Sequence, residues 1–600
     1  MSSVGRNAMK PVIFALALGC ATSVSAQQAA DAVAPEAATQ GTFAAMSPEI
    51  AASFAAKADR RPVEASNWMV AAANPWAVQA GADVLARGGT AADALVAVQA
   101  MLGLVEPQSS GLGGGAFLVY YDAASGSLTT LDGRETAPLA ATPRLFQDED
   151  GEPLGFFDAV VGGLSVGTPG TPALMQEAHE RWGSLLWADL LAPAIDLAEQ
   201  GFPVSPRLAG LVAADQERLA RFETTASYFL PGGAPIAVGD TLINPDYADT
   251  LREMATGGAA AFYTGSIAAD IVQTVQNAPG NPGVLSTLDL SIYAVKERAP
   301  VCVEYRAHDV CGMGPPSSGA LTVGQILGML QPYDLSAGPN DATVRRLIGD
   351  ASRLAFADRG RYMADSDYVP VPVAGLVAPE YLASRAALLD GDMALRDVAP
   401  GNPEFDHALN WADDASLELP STSHFVIVDT QGNVASMTTT IENAFGSRLM
   451  VRGFLLNNEL TDFSFRSHVD GVPIANRVEP GKRPRSSMAP TIVMQDGAPV
   501  LAIGSPGGSR IIGYVAQSII AHLDWGMDVQ QAVSVPHAVN RFGTYDLEEG
   551  TAAERLSDPL TALGFEVGTR ALTSGLHAIS IGPSLLGGAD PRREGIALGQ

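Results

Sequence analysis

The sequence predicts an α+β protein, and three observations carry that reading. Between residues 170 and 285 the apolar positions follow helical spacing, broken by Gly and Pro. From Thr422 the pattern changes to short strand-like runs: "SHFVIVD", "NVASMTTT", "GFLLNN", "APTIVM" and "PVLAIG". A glycine loop, "GLGGG", leads straight into a further strand, "AFLVYY".

Length and composition bound the rest. Six hundred residues exceed one small core; the length alone allows three or four domains, or a large α/β or α+β unit. Hydrophobic residues make up 47% and charged ones 17%, so apolar material for a core is ample. The net charge of −29 argues against nucleic acid or an anionic membrane as partner, because both attract Lys/Arg surfaces.

Taken in order, the chain opens on Arg6 and Lys10, an apolar "PVIFALALGC" and a small-x-small "VSA" at 24–26. This reads as a secretory signal peptide over residues 1–26, too short to span a bilayer. A buried helix is the alternative. Cys20 ends a lipoprotein-like "ALGC" with Ala where Leu is usual. No other run is long and apolar enough to cross a membrane, so no membrane span is expected, and the expected location is periplasmic or secreted. Residues 27–60 are Ala-rich and read as a mobile leader. The next segment holds two amphipathic helices separated by Gly88 and Gly89, with Thr90 as N-cap of the second. "VRRLIGDASRLAFADRGRYMAD" is another helix, and "SRIIGYVAQSIIAHLDWG" is a late one. "GNPEFDHALNWADDASLELP" is polar and aperiodic and reads as a surface linker.

Export changes the meaning of the cysteines. Cys302 and Cys311 lie in two short strands around a turn, where an oxidising compartment allows a disulfide; two free buried thiols are the alternative. The chain has no CxxC, and no HExxH among its eight His, so no metal site is expected. "GLGGG" is not a phosphate loop, because it enters a strand rather than a helix; it lets backbone pack closely. "GSPGGSR" falls short of a nucleophile elbow, since Ile503 stands where Gly is needed.

"VIVDTQGNVAS" is a hairpin signal. With Asp429 to Asn433 as the loop, Val428 opposes Val434 and Thr422 opposes Thr440, about 5 Å away across the ladder. Such a pair serves a sheet equally well without chemistry. A Thr at a strand start has a second use. Cutting the Ser421–Thr422 bond frees an α-amino group, with a pKa near 8, beside the Thr422 hydroxyl. That amine takes the hydroxyl proton, so no His–Asp partner is needed.

"TSHFVIVDTQGNVASMTTTIENAFGS", "LLNNELTDF", "GKRPRSSMAPT" and "GSPGGSR" together resemble the catalytic half of the γ-glutamyltransferase (glutathione hydrolase) family. Upstream, "PQSSGLGGGAF", "LDGRETAP", "MGPPSSG" and "FADRGRYMAD" match in the same order, so the resemblance covers roughly residues 65–595. It implies an N-terminal-nucleophile hydrolase, a four-layer αββα sandwich made from one self-cleaving precursor. The large chain would be residues 27–421 and the small chain 422–600.

Residue by residue, the resemblance implies Thr422 as nucleophile and Thr440 as its hydrogen-bonding assistant. Arg134 would grip the substrate α-carboxylate, aided by Ser486 and Ser487. Glu442, Glu459 and Asp462 would hold the substrate ammonium. Gly507 and Gly508 would form the oxyanion hole, where missing side chains permit close approach. Glutathione or a similar γ-glutamyl compound would be the donor, and water or an amino-acid or dipeptide amine the acceptor; no cofactor is implied. Departures from the family pattern are Arg485, where Leu is commoner, acids at 442 and 459 where some relatives carry amides, and the segment "GSRLMVRGF". The length of 464–481 also varies across the family, and these differences bear on substrate preference. The rivals are an acylase of the same scaffold acting on glutaryl or cephalosporin-type side chains, which lack the ammonium, and a non-catalytic binding protein of the same fold.

Overall fold

The computed structural model describes Phe43 and residues 46–407, 410–414, 416 and 418–600; the signal-peptide reading and Cys20 lie outside these. Two seven-stranded sheets form its centre. In one, the order is Ile596–Gly599, Met69–Ala72, Ser423–Val428, Val434–Thr440, Gly115–Asp122, Ser127–Gly133 and Lys296–Arg298. In the other it is Val63–Ala65, Leu585–Ala589, His577–Ile581, Ala498–Gly504, Thr491–Gln495, His308–Gly312 and Val301–Tyr305.

Strand alternation sorts the side chains into layers. Met69, Ala71, Val426, Val428 and Val434 meet Ile492, Ala502 and Ile579 between the sheets. Their neighbours Val70, Ala72, Phe425, Ile427, Ala435 and Met437 point the other way, onto a helical layer that includes Pro75–Ala86 and Ala91–Val105. Val493, Leu501 and Ile503 likewise pack on Gly319–Leu330, Ala342–Tyr362 and Ile511–Leu523. The result is helix, sheet, sheet, helix. Among the described residues, no helix is long and apolar enough to cross a membrane.

Local signals act where the sequence places them. Thr90 caps its helix through a reciprocal box with Asp93. Gly114 is pressed so tightly against the next segment that a Cβ there would lie 1.9 Å from the Thr440 carbonyl oxygen. Cys302 and Cys311 stand opposite each other in an antiparallel pair and are joined as a disulfide.

Two expectations need correction. The leader is not unstructured throughout: Pro48–Ala58 is a helix capped by Ser47, and it buries Ile50 and Phe54 at i, i+4 spacing. The segment before Thr422 is not a surface linker along its whole length. Trp411, Glu418 and Leu419 are each 5% exposed. Polar composition misled here because the acids are buried against arginines rather than solvated.

Candidate active site

The hairpin builds the site first. Val428 pairs with Val434 and Ser423 with Thr439, the register that places Thr422 beside Thr440. Thr440 lies on the face of its strand shared by Val434 and Ser436, which looks between the sheets. Both threonines therefore close one end of the inter-sheet layer. The Thr422 hydroxyl donates to Thr440 Oγ1 at 3.1 Å, and Thr440 Oγ1 accepts the Glu442 N–H at 2.8 Å. Thr422 is 4% exposed and has a φ of 115°. A β-branched residue is a genuine outlier there, a conformation costing on the order of 1–3 kcal/mol.

One pocket gathers Arg134, Thr422, Thr440, Glu442, Glu459, Asp462, Ser486, Ser487 and Gly508. Gly507, with a φ of 137°, precedes Gly508 but does not line the pocket. Ser421 lies on a second cavity, lined also by Arg207, Arg510 and Arg593. Arg593 Nη1 donates to the Thr422 carbonyl at 3.2 Å.

The acids and Arg134 form one buried cluster. Arg134 Nη1 pairs with Glu459, Nη2 with Asp462 at 2.5 Å, and Nε donates to the Pro484 carbonyl at 3.2 Å. Nη2 also donates to the Arg485 carbonyl at 2.9 Å. The residue expected to meet a substrate carboxylate is thus, in this continuous chain, the counter-ion of two of the three expected ammonium ligands. Burial opposes the Arg134 charge, but Glu459, Asp462 and Glu135 reverse that and raise its pKa. Burial, then repulsion from Asp462 and Glu459, holds the Glu442 carboxyl well above the usual range. Asp462 is pushed well above its range in the same way, against the pull of Arg134. Three acids converging in a dry site favour a cation among them.

Sequence reasoning missed three participants. Glu418 and Leu419 lie inside this pocket, and Arg359 stands behind it. Arg359 sits inside the quoted motif "FADRGRYMAD", but nothing in a helix-patterned segment says which side chain faces a site assembled from elsewhere.

The four-layer architecture, with a threonine at the start of a central strand, defines an N-terminal-nucleophile hydrolase. The fold match agrees: a cephalosporin acylase from Bacillus halodurans superposes with a TM-score of 0.80 at 27% identity, covering 90% of this chain and 97% of that one. The gamma-glutamyltranspeptidase family model matches residues 77–600, and the chain belongs to that family. It is similar to the glutathione hydrolase proenzyme of Bacillus subtilis strain 168, 39% identical over 546 residues and covering 88% of this chain and 91% of that one. The glutathione hydrolase proenzyme of Escherichia coli K12 is 36% identical with the same coverage. An acylase proenzyme (ACY 1) of Pseudomonas sp. SE83 is 34% identical over 90% of this chain and 94% of its own length. The chain is therefore an enzyme of the γ-glutamyl hydrolase and transferase type.

Proposed function

We propose that this protein is an exported precursor that cuts itself before Thr422 and then removes γ-glutamyl groups from glutathione and related compounds. The observation that carries the reading is the 3.1 Å contact between the Thr422 and Thr440 hydroxyls, inside a pocket walled by three acids and Arg134. In maturation, Thr422 Oγ attacks the Ser421 carbonyl carbon and the Ser421–Thr422 C–N bond breaks. The resulting ester is hydrolysed by water, leaving a Ser421 carboxylate and a Thr422 α-amine. The raised energy of Thr422 at positive φ favours this step, because cleavage frees φ from the preceding carbonyl.

In turnover, the free α-amine takes the Thr422 hydroxyl proton, and the oxygen attacks the γ-carbonyl of the donor. Backbone N–H groups at Gly507 and Gly508 receive the oxyanion. The amine leaves with a proton, a γ-glutamyl ester remains on Thr422, and water or an acceptor amine releases it. Glu442, Glu459 and Asp462 meet the donor ammonium; Arg134, Ser486 and Ser487 face its carboxylate. The large and small chains, 27–421 and 422–600, stay together as a heterodimer. The acylase reading is weaker because a glutaryl donor brings no ammonium to three acids. N-terminal sequencing of the small chain is expected to read Thr-Ser-His-Phe, and the purified protein is expected to hydrolyse glutathione faster than a glutaryl amide. A preference for the glutaryl amide sinks the γ-glutamyl reading.

A further inference from the structure

A lysine on the first described helix reaches the nucleophile through a single intervening residue. Lys57 lies in the last turn of Pro48–Ala58 and is 7% exposed. A lysine in that position ordinarily keeps its ammonium in water and serves the end of its own helix. Lys57 instead donates to the Arg593 and Gly595 carbonyls, each at 2.6 Å, across more than five hundred residues of chain. Burial lowers its pKa to about 8, opposed by Asp590 and Glu594 nearby. His577, kept neutral by burial and by Lys57 and Arg593, brings no charge of its own to this group.

The segment that Lys57 grips is a bridge between the two sheets. Residues 590–595 run from Leu585–Ala589, in one sheet, to Ile596–Gly599, at the edge of the other. Space around it is tight. A Cβ on Gly595 would lie 2.2 Å from His577 Nε2 and 2.5 Å from the Ala72 carbonyl oxygen, and one on Gly575 would lie 2.8 Å from Arg593 Cδ. The carbonyl that Lys57 holds and the guanidinium that meets the Thr422 carbonyl at 3.2 Å belong to the same residue, so fixing the first aims the second. Thr422 has use for such a hold. It stands just outside the strand Ser423–Val428, at a φ of 115°, and the proposed cut makes it a chain end. The Ser421 hydroxyl is held by the Gln108 carbonyl at 3.1 Å, a contact that the cut separates from Thr422.

We propose that Lys57 is a positioning residue for the Thr422 reaction: from the helix Pro48–Ala58 it fixes residue 593, and through the Arg593 guanidinium it fixes the main chain of the nucleophile. The same guanidinium is a cation beside the α-amine that the cut frees, and a neighbouring cation favours the neutral form of an amine. Lys57 thus helps to keep the base unprotonated as the pH falls. Other charges face Thr422 as well. Arg134, Glu418, Glu442, Glu459 and Asp462 line its pocket, and Arg207 and Arg510 line the cavity beside Ser421; a substitution at 57 leaves all of them in the chain. The inference rests on the reading of Thr422 as nucleophile and gives the helix Pro48–Ala58 a part in the chemistry.

The test follows self-cleavage over time and the pH profile of kcat/KM on a γ-glutamyl anilide in Lys57→Met, Arg593→Met and the double variant. Lys57→Met is expected to slow cleavage, to lower kcat/KM about two- to tenfold and to move the acid limb of the profile to higher pH. Arg593→Met is expected to do the same more strongly. The double variant is expected to match Arg593→Met, because Lys57 acts through Arg593. Lys57→Arg keeps a cationic donor and is expected to restore part of the loss. If Lys57→Met does not fold, Lys57→Gln, with a shorter and neutral donor, is read in the same way. A Lys57 variant with a lower Tm but wild-type cleavage and an unmoved acid limb overturns the inference, as does a double variant whose losses simply add. A wild-type chain that is never cut before Thr422 overturns instead the reading of Thr422 itself, a distinct result.

Discussion

Two charged walls, an acid one lining the pocket and a basic one behind Glu418 and Ser487, are neutralised from different parts of the chain. On the acid wall, Glu459 and Asp462 are compensated by Arg134, a residue of the permanent fold. On the basic wall, Arg359 and Arg485 are compensated by Asp414 and Glu418, on the segment just before Thr422. The acid wall is paired from within the body of the fold, away from the residues just before Thr422. The counter-ions of the basic wall stand four and eight residues before Thr422, so its pairing is the one that the proposed cut can change.

The largest expected effect is that of Thr422→Ala, which removes the attacking oxygen. Gels are expected to show one uncut chain without activity; a cut Thr422→Ala protein rules out self-processing. Next comes Arg134. Its removal leaves buried acids unpaired, so Arg134→Ala is expected to cost about 3–5 kcal/mol of stability as well as activity. Arg134→Lys keeps the charge but loses the fork, and kcat/KM on a γ-glutamyl anilide is expected to fall by about ten- to a hundredfold. Normal maturation, melting and turnover of Arg134→Ala remove the distinction between the walls.

Smaller effects separate the walls by pH. Glu418 is held down at about 2 from an ordinary 4.5, so its contribution to stability is present above about 4.5 and lost as the pH falls through about 2. Glu442 is held well above its ordinary value by burial and by Asp462 and Glu459, so its contribution has the opposite sign: present in acid, and lost as pH rises through its folded pKa. In the uncut Thr422→Ala background, Glu418→Gln is expected to lower Tm at pH 7 more than at pH 3. Glu442→Gln is expected to raise Tm at pH 8 relative to pH 4, while weakening glutathione turnover in the cleavable protein. Parallel Tm shifts in the two variants show that the walls are not electrostatically distinct. The smallest effect lies away from both. Replacing Cys302 and Cys311 by Ser is expected to cost about 2–3 kcal/mol with kcat/KM unchanged, measured by chemical denaturation.

The same contrast explains what was legible beforehand. Thr422 and Thr440 belong to one hairpin, and a hairpin's register is arithmetic once its loop is known; the 3.1 Å contact follows from counting. The helix and strand zones, the Thr90 cap and the disulfide pair are also local signals. Arg359, Glu418 and Ser487 come from three separate segments, so no spacing rule joins them. Polar, aperiodic composition ordinarily marks solvent, and here Glu418 is buried because its charge is matched across the fold. Trp411 and Leu419 were the available warning, since both are large apolar residues in an otherwise polar run. The helix at Pro48–Ala58 also announced itself through Ser47–Pro48 and Ile50/Phe54, a start signal and an apolar stripe outweighed by the Ala-rich surroundings.

The interleaving of strands on either side of residue 422 has a lasting consequence. Ser423–Val428 and Val434–Thr440 sit between Met69–Ala72 and Gly115–Asp122, and the final strand Ile596–Gly599 pairs with Met69–Ala72. Once the Ser421–Thr422 bond is cut, neither fragment can leave without tearing hydrogen bonds from the middle of a sheet. The connection that brought those strands together during folding is then gone, and reassembly after unfolding becomes a search between two molecules that depends on their concentration. The lifetime of such a two-chain enzyme is set by how rarely it opens, so its durability is a rate rather than an equilibrium.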